Sequence, residues 1–125
     1  MSKDWWKKSA EGIPQLVTET PGPKSKEMHE STARYMKGLS SQVKLFPGCF
    51  EEGSGIMLRD VDGNRYLDFS SGIYVTSLGH CHPKVSEAVS YWAGKLMNAH
   101  DFTTPVKEKL MEKMASILPG RLNAI

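Results

Sequence analysis

Gly55-Ile56-Met57-Leu58-Arg59-Asp60-Val61-Asp62-Gly63-Asn64-Arg65-Tyr66-Leu67-Asp68-Phe69 is the stretch on which the fold turns. Two short runs, Ile56 to Arg59 and Arg65 to Phe69, flank Asp62-Gly63. Asp-Gly suits a tight turn whose central residues take positive φ, so the stretch predicts a β-hairpin closed by a type I′ turn. A calcium loop starting at Asp60 fits badly. It would need glycine sixth and a carboxylate twelfth, whereas Gly63 is fourth and Ser71 twelfth.

Upstream, Pro14, Pro21, Gly22 and Pro23 exclude regular structure and predict an extended arm over residues 1–24. Ser25 is the expected N-cap of a helix running to about Lys37, with Met28, Thr32, Tyr35 and Met36 on one side and Gly38 as its stop. A looser stretch follows through Pro47-Gly48. Downstream, residues 70–82 are rich in Ser and Gly and break both periodicities, which predicts a shaped loop. Two amphipathic helices come next. Pro83 opens the first, with Val85, Val89, Trp92 and Leu96 at helical spacing. Thr104-Pro105 opens the second, with Val106, Leu110, Met114 and Ile117 on one face and Pro119-Gly120 ending it. Leu122 to Ile125 then reads as the start of a strand. A hairpin, an arm and about three helices give few ways to cover a sheet, which suggests a piece of something larger.

The 125 residues are enough for one ordinary domain, and 39% hydrophobic with 24% charged content argues against disorder. Sixteen basic residues against fourteen acidic ones leave a charge of +2, too small and too dispersed to imply nucleic acid. Cys49 and Cys81 make no disulfide framework, and the start lacks the apolar run of a signal peptide. No stretch reaches the roughly 20 apolar residues of a membrane span. Trp5 and Trp6 beside Lys7 and Lys8 read better as a packed terminus than as a membrane anchor. A cytoplasmic protein is expected. His80-Cys81-His82 sets three metal-ligand types in a row, but adjacent side chains diverge, and these residues are expected to be structural. Gly53-Ser54-Gly55 is too short for a phosphate cradle, and no metal site is expected.

Taken together, the 55–69 hairpin, Ser71-Gly72-Ile73, and Leu78-Gly79-His80-Cys81-His82-Pro83-Lys84-Val85 resemble the amino-terminal signature of the class III aminotransferases. That family includes ornithine, acetylornithine and 4-aminobutyrate transaminases. Gly22-Pro23-Lys24-Ser25 and Leu118-Pro119-Gly120 match at the two ends, so the resemblance covers residues 22–125. It implies an α/β, two-domain fold type I transferase dependent on pyridoxal phosphate and assembled as a homodimer. Residues 25–82 would belong to the small domain, with hairpin 55–69 and pocket loop 70–82, and residues 83–125 would lead into the large domain. The resemblance further implies that the Schiff-base lysine, the aspartate under the pyridine nitrogen and the phosphate loop follow Ile125. None of the twelve lysines present sits in the matching context. Catalytic and cofactor-binding residues would then be absent from this chain, leaving Gly72 and Ile73 as a substrate-pocket wall. Ornithine-specific relatives carry tyrosine where Ile73 stands, so an apolar contact with a different amino donor is implied. The competing expectations are a non-catalytic interaction protein that binds a partner chain, and an ordinary small globular protein.

Overall fold

In the computed structural model, residues 12–36, 38 and 40–120 are described. The expectations for Trp5 and Trp6 and for a strand at Leu122–Ile125 fall outside them. The chain divides into two compact units, residues 1–86 and 87–125.

In the first unit, helix α1 (Pro23–Tyr35) and a short α2 (Ser41–Leu45) precede an antiparallel sheet. The sheet has the order β1 (Phe50–Ser54), β2 (Met57–Asp60), β3 (Arg65–Leu67). The expected hairpin is the β2–β3 pair, with Met57, Leu58 and Arg59 opposite Leu67, Tyr66 and Arg65. Its turn is not type I′, because Gly63 has φ 92° while Asp62 is not among the residues of positive φ. The Gly63 amide donates to the Asp60 carbonyl and the Asp60 amide to the Asn64 carbonyl, leaving a three-residue connection with glycine at its left-handed position.

β1 lies between the looser stretch that ends at Pro47-Gly48 and the expected hairpin, where the sequence predicted no strand. Phe50-Glu51-Glu52-Gly53-Ser54 has little intrinsic strand preference. Its pairing is fixed across the sheet instead. Arg59, 7% exposed, reaches Glu51 at 3.1 Å and Glu52 at 2.8 Å, and a bulge between Phe50 and Glu52 shifts the register beside them. Phe46 and Phe50 meet the Tyr66 ring edge-on at 6.3 and 5.6 Å.

The arm anneals to the hairpin through backbone and polar contacts. Gln15 and Arg65 exchange amide–carbonyl bonds of 3.0 and 2.8 Å. Asn64, fully buried, accepts from the Val17 and Thr18 amides at 2.7 and 2.9 Å and donates to Thr18 Oγ1 at 2.8 Å. The Asp60 carboxylate, 1% exposed, accepts from the amides of Asp62 and Asn64, from Asn64 Nδ2 and from the Tyr66 hydroxyl. Desolvation, with the bond to Asp60 next, raises the Tyr66 pKa. An aspartate this fully engaged by its own turn has a structural role.

Helix α1 begins at Pro23, two residues before the expected cap, and ends at Tyr35. Ser25 is not the N-cap; it lies inside the first turn and is fully buried. The position before the helix is Gly22, whose side chain can cap nothing, and Asp62 of the hairpin turn takes over that task. Its carboxylate accepts from the Lys24 amide at 2.9 Å, the Ser25 amide at 2.9 Å and the Ser25 hydroxyl at 2.7 Å. A negative charge on unsatisfied first-turn amides is the favourable arrangement. A Cβ on Gly22 would fall 2.3 Å from Asp62 Cγ, so glycine is what admits the carboxylate.

Across the second unit runs most of α4 (Pro83–Ala93) and all of α5 (Pro105–Ile117). Both start at the expected prolines, and Thr104 Oγ1 accepts the Lys107 amide at 3.1 Å as an N-cap should. The predicted apolar faces are present but uncovered: Val89, Leu96, Leu110 and Ile117 are 62, 54, 52 and 61% exposed. No hydrophobic residue among those described is buried in either unit; the buried side chains are Ser25, Arg59, Asp60 and Asn64.

Candidate functional site

Residues 70–82 are the loop that the sequence singled out, and Asp68 and Phe69 lead into it. The structure winds its first part into α3 (Ser71–Tyr74), a single turn in the left-handed region. Ser71, Gly72, Ile73 and Tyr74 have φ of 51, 59, 60 and 65°. Glycine takes this conformation freely, but a left-handed turn costs other residues about 1–2 kcal/mol each. A β-branched residue there is a genuine outlier, and Ile73 is one. Such a conformation persists only where its surroundings dictate it, and such positions gather at functional sites.

Asp68 supplies the surroundings. Its Oδ1 accepts from the Ser70 and Ser71 amides at 2.8 and 2.9 Å, at the entrance to the turn. Its Oδ2 meets His80 Nε2 at 2.6 Å, across the loop's full length. The bond from His80 leads the causes that lower the Asp68 pKa below its usual 3.8, against a smaller opposing effect of burial. Within the loop, Ser71 Oγ and Thr76 Oγ1 are 3.1 Å apart.

His80 is anchored in turn. Gly55 and His80 exchange amide–carbonyl bonds of 3.0 and 2.8 Å between the β1–β2 turn and the loop's far end. Two glycines make this approach possible. A Cβ on Gly79, at φ 90°, would lie 2.9 Å from Gly55 Cα, and one on Gly53 would lie 2.8 Å from His80 Cβ. Gly53-Ser54-Gly55 therefore accommodates a histidine.

Gly72 and Ile73, the pocket-wall residues read from the sequence, sit side by side on the left-handed turn. Ile73 is 77% exposed, and a Cβ on Gly72 would meet nothing nearer than 3.9 Å. The turn thus presents an apolar side chain beside a bare backbone. Of the histidine-cysteine run, His80 is bonded to Asp68, Cys81 is exposed, and the His82 carbonyl accepts the Val85 and Ser86 amides at the start of α4. No three His, Cys, Asp or Glu side chains gather as metal ligands among the described residues.

What the sequence missed is the pair Asp68 and His80. Asp68-Phe69-Ser70 carries an Asx-turn signal, since aspartate bonds the amide two residues on. The sequence gives the histidine twelve residues later a structural role without naming a partner for it.

A cavity of about 500 Å³ lies within residues 87–125 and is lined by Val89, Trp92, Leu96, Met97 and Val106. It contains no cluster of convergent polar groups of the kind that orients a reacting substrate.

Residues 39–125 match the family Aminotransferase class-III. The chain belongs to that family. It is 44% identical over 78 residues to the alanine/serine racemase of Pyrococcus horikoshii, covering 61% of this chain and 16% of the relative. It is 35% identical over 115 residues to the 4-aminobutyrate aminotransferase of Mycobacterium leprae, covering 90% of this chain and 25% of the relative. Among solved structures, a transaminase with pyridoxal phosphate bound superimposes with TM-score 0.66 at 26% identity, covering 82% of this chain and 24% of that one. The chain therefore spans between 16 and 25% of the length of these curated relatives.

None of the described lysines stands in a setting suited to a Schiff base with pyridoxal phosphate. A lysine that condenses with the cofactor aldehyde needs a shielded, unprotonated amine. Every described lysine is exposed. Lys107 Nζ donates to the carbonyls of His100 and Phe102, and Lys95 Nζ stands 4.1 Å from the Tyr91 ring centre. Among the described residues no helix is long and apolar enough to cross a membrane.

Proposed function

We propose that this chain forms the amino-terminal part of an enzyme that moves an amino group between an amine or amino-acid donor and a 2-oxo acid. Pyridoxal phosphate would supply the electron sink and be held by residues outside this chain. Residues 1–24 serve as the arm, 25–82 as part of the small domain, and 83–125 as helices leading into the large domain of a cytoplasmic homodimer. Family membership and the relatives, mostly aminotransferases, support the reaction class.

The observation that carries the site is the left-handed turn at Ser71–Tyr74. Gly72 lets substrate approach the backbone closely, and Ile73 offers an apolar contact to the substrate's carbon chain. Neither moves a proton; their work is to shape and orient. The test is Ile73→Ala in the complete enzyme. Losing one apolar contact is worth about 1–3 kcal/mol, so kcat/KM for the amino donor falls roughly 10- to 200-fold with cofactor occupancy unchanged. Unaltered kcat/KM across several donors removes Ile73 from the wall.

A second reading, a non-catalytic protein that binds a partner chain, draws on the uncovered faces of α4 and α5. It requires that no amino transfer accompany the purified assembly.

A further inference from the structure

We infer that Asp68 and His80 act together as a positioning pair, setting the left-handed turn and thereby the placement of Gly72 and Ile73. The inference rests on the reading of those two residues as the substrate-pocket wall. Four observations converge on it.

The turn is intrinsically unfavourable, with three non-glycine residues at positive φ, so something must hold it. Asp68 does so at the entrance, through the amides of Ser70 and Ser71. The same carboxylate is bound on its other oxygen by His80, and the Asp68 and His80 side chains are only 7 and 21% exposed. His80 is fixed to Gly55 by two backbone bonds and is admitted by Gly53 and Gly79, which carry no Cβ to obstruct it. The sheet therefore locates His80, His80 locates the carboxylate, and the carboxylate locates the turn. Ile73 itself is mostly exposed and contributes little to its own placement. Remove the imidazole and the carboxylate keeps its two amides but loses the contact that orients it across the loop.

The experiment uses the complete enzyme with His80→Gln, His80→Asn and His80→Ala, beside Ile73→Ala. Glutamine places a donor near the position of the imidazole Nε2, whereas asparagine has the same polarity and falls one methylene short. A misplacement of about 1 Å can cost on the order of 100-fold, so His80→Asn and His80→Ala should raise KM for the amino donor about 10- to 100-fold. Cofactor absorbance should stay at the wild-type level, kcat should change less than KM, and His80→Gln should return KM to within about twofold of wild type. Should His80→Ala fail to fold, the Asn–Gln comparison carries the test.

Equal KM in the Asn and Gln variants, or a loss of cofactor and kcat with KM unmoved, overturns the inference. If Ile73→Ala raises KM while the His80 variants do not, the positioning pair fails and the wall stands. If Ile73→Ala is also silent, the wall fails and the inference falls with it.

Discussion

Gly79 is where the loop's geometry can be probed with a single methyl group. Two separate penalties meet in Gly79→Ala. The residue has φ 90°, and its new Cβ would lie 2.9 Å from Gly55 Cα and 3.3 Å from the Gly55 carbonyl carbon and oxygen. Those neighbours are backbone and cannot rotate away, so the two bonds between Gly55 and His80 must lengthen or break. The left-handed conformation costs about 1–2 kcal/mol for a residue with a Cβ. Two backbone hydrogen bonds at about 0.5–1.5 kcal/mol each bring the total to roughly 2–5 kcal/mol. Gly72→Ala is the matched control, since its φ of 59° imposes the first penalty while its Cβ meets nothing within 3.8 Å of it. Native-state hydrogen exchange of the complete enzyme separates the two at the Gly55 and His80 amides. Opening there should become about 30-fold to several thousand-fold more frequent in Gly79→Ala. Gly72→Ala should change its own turn by no more than about 5- to 30-fold. Should the Gly55 and His80 amides exchange alike in both variants, the close approach of these strands does not hold the loop, and the anchoring of His80 is wrong.

Further outcomes concern cofactor, acid and self-sufficiency. Reduction with borohydride in the presence of pyridoxal phosphate should leave no lysine of residues 1–125 stoichiometrically labelled, as peptide mass mapping will show; one fully labelled lysine refutes the division of roles. The Asp62 carboxyl is shifted below 3.8, burial acting upward but outweighed by the bonds from Ser25 and Lys24. A folded-state pKa below the unfolded one means the cap is fully present above about pH 3.8 and is lost as pH falls through the lowered value. The Ser25 amide shift in NMR should titrate below pH 3.8 and lose that titration in Asp62→Asn. Residues 1–125 alone should sediment as aggregates or assemblies and melt without a sharp transition, since no described apolar side chain is buried and each uncovered one forgoes about 1.5–3 kcal/mol. A dilute monomer with a cooperative melt contradicts that.

Legibility in this sequence follows the range of the interaction that decides each feature. Helices α4 and α5 were readable because Pro83, Thr104 and Pro105 act on their own next few residues. The β2–β3 hairpin was readable because its pairing crosses only three residues, Val61 to Gly63. The type of its turn was not. Asp62 spends its carboxylate on a helix 37 and 38 residues upstream in the chain, and the turn follows that commitment instead of the Asp-Gly preference. The same bond accounts for the misplaced start of α1. A sequence-local search finds the first cap-forming side chain, Ser25, whereas the real acceptor comes from the hairpin.

The candidate site divides the same way. A Ser- and Gly-rich break marks the loop, and resemblance alone singles out Gly72 and Ile73 within it. Its physical logic lay elsewhere. Nothing local favours left-handed φ at Ser71, Ile73 and Tyr74, and a propensity argument would have refused it. The turn exists because Asp68 and His80 meet across twelve residues, and they meet because Gly79 lets its backbone approach Gly55 and Gly53 leaves room for the His80 side chain. Each glycine alone looks like an ordinary loop residue. Only the fold reveals that Gly53 and Gly79 both serve one histidine, so it is the polar contacts between distant segments, and no apolar core within the described residues, that specify this part of the molecule.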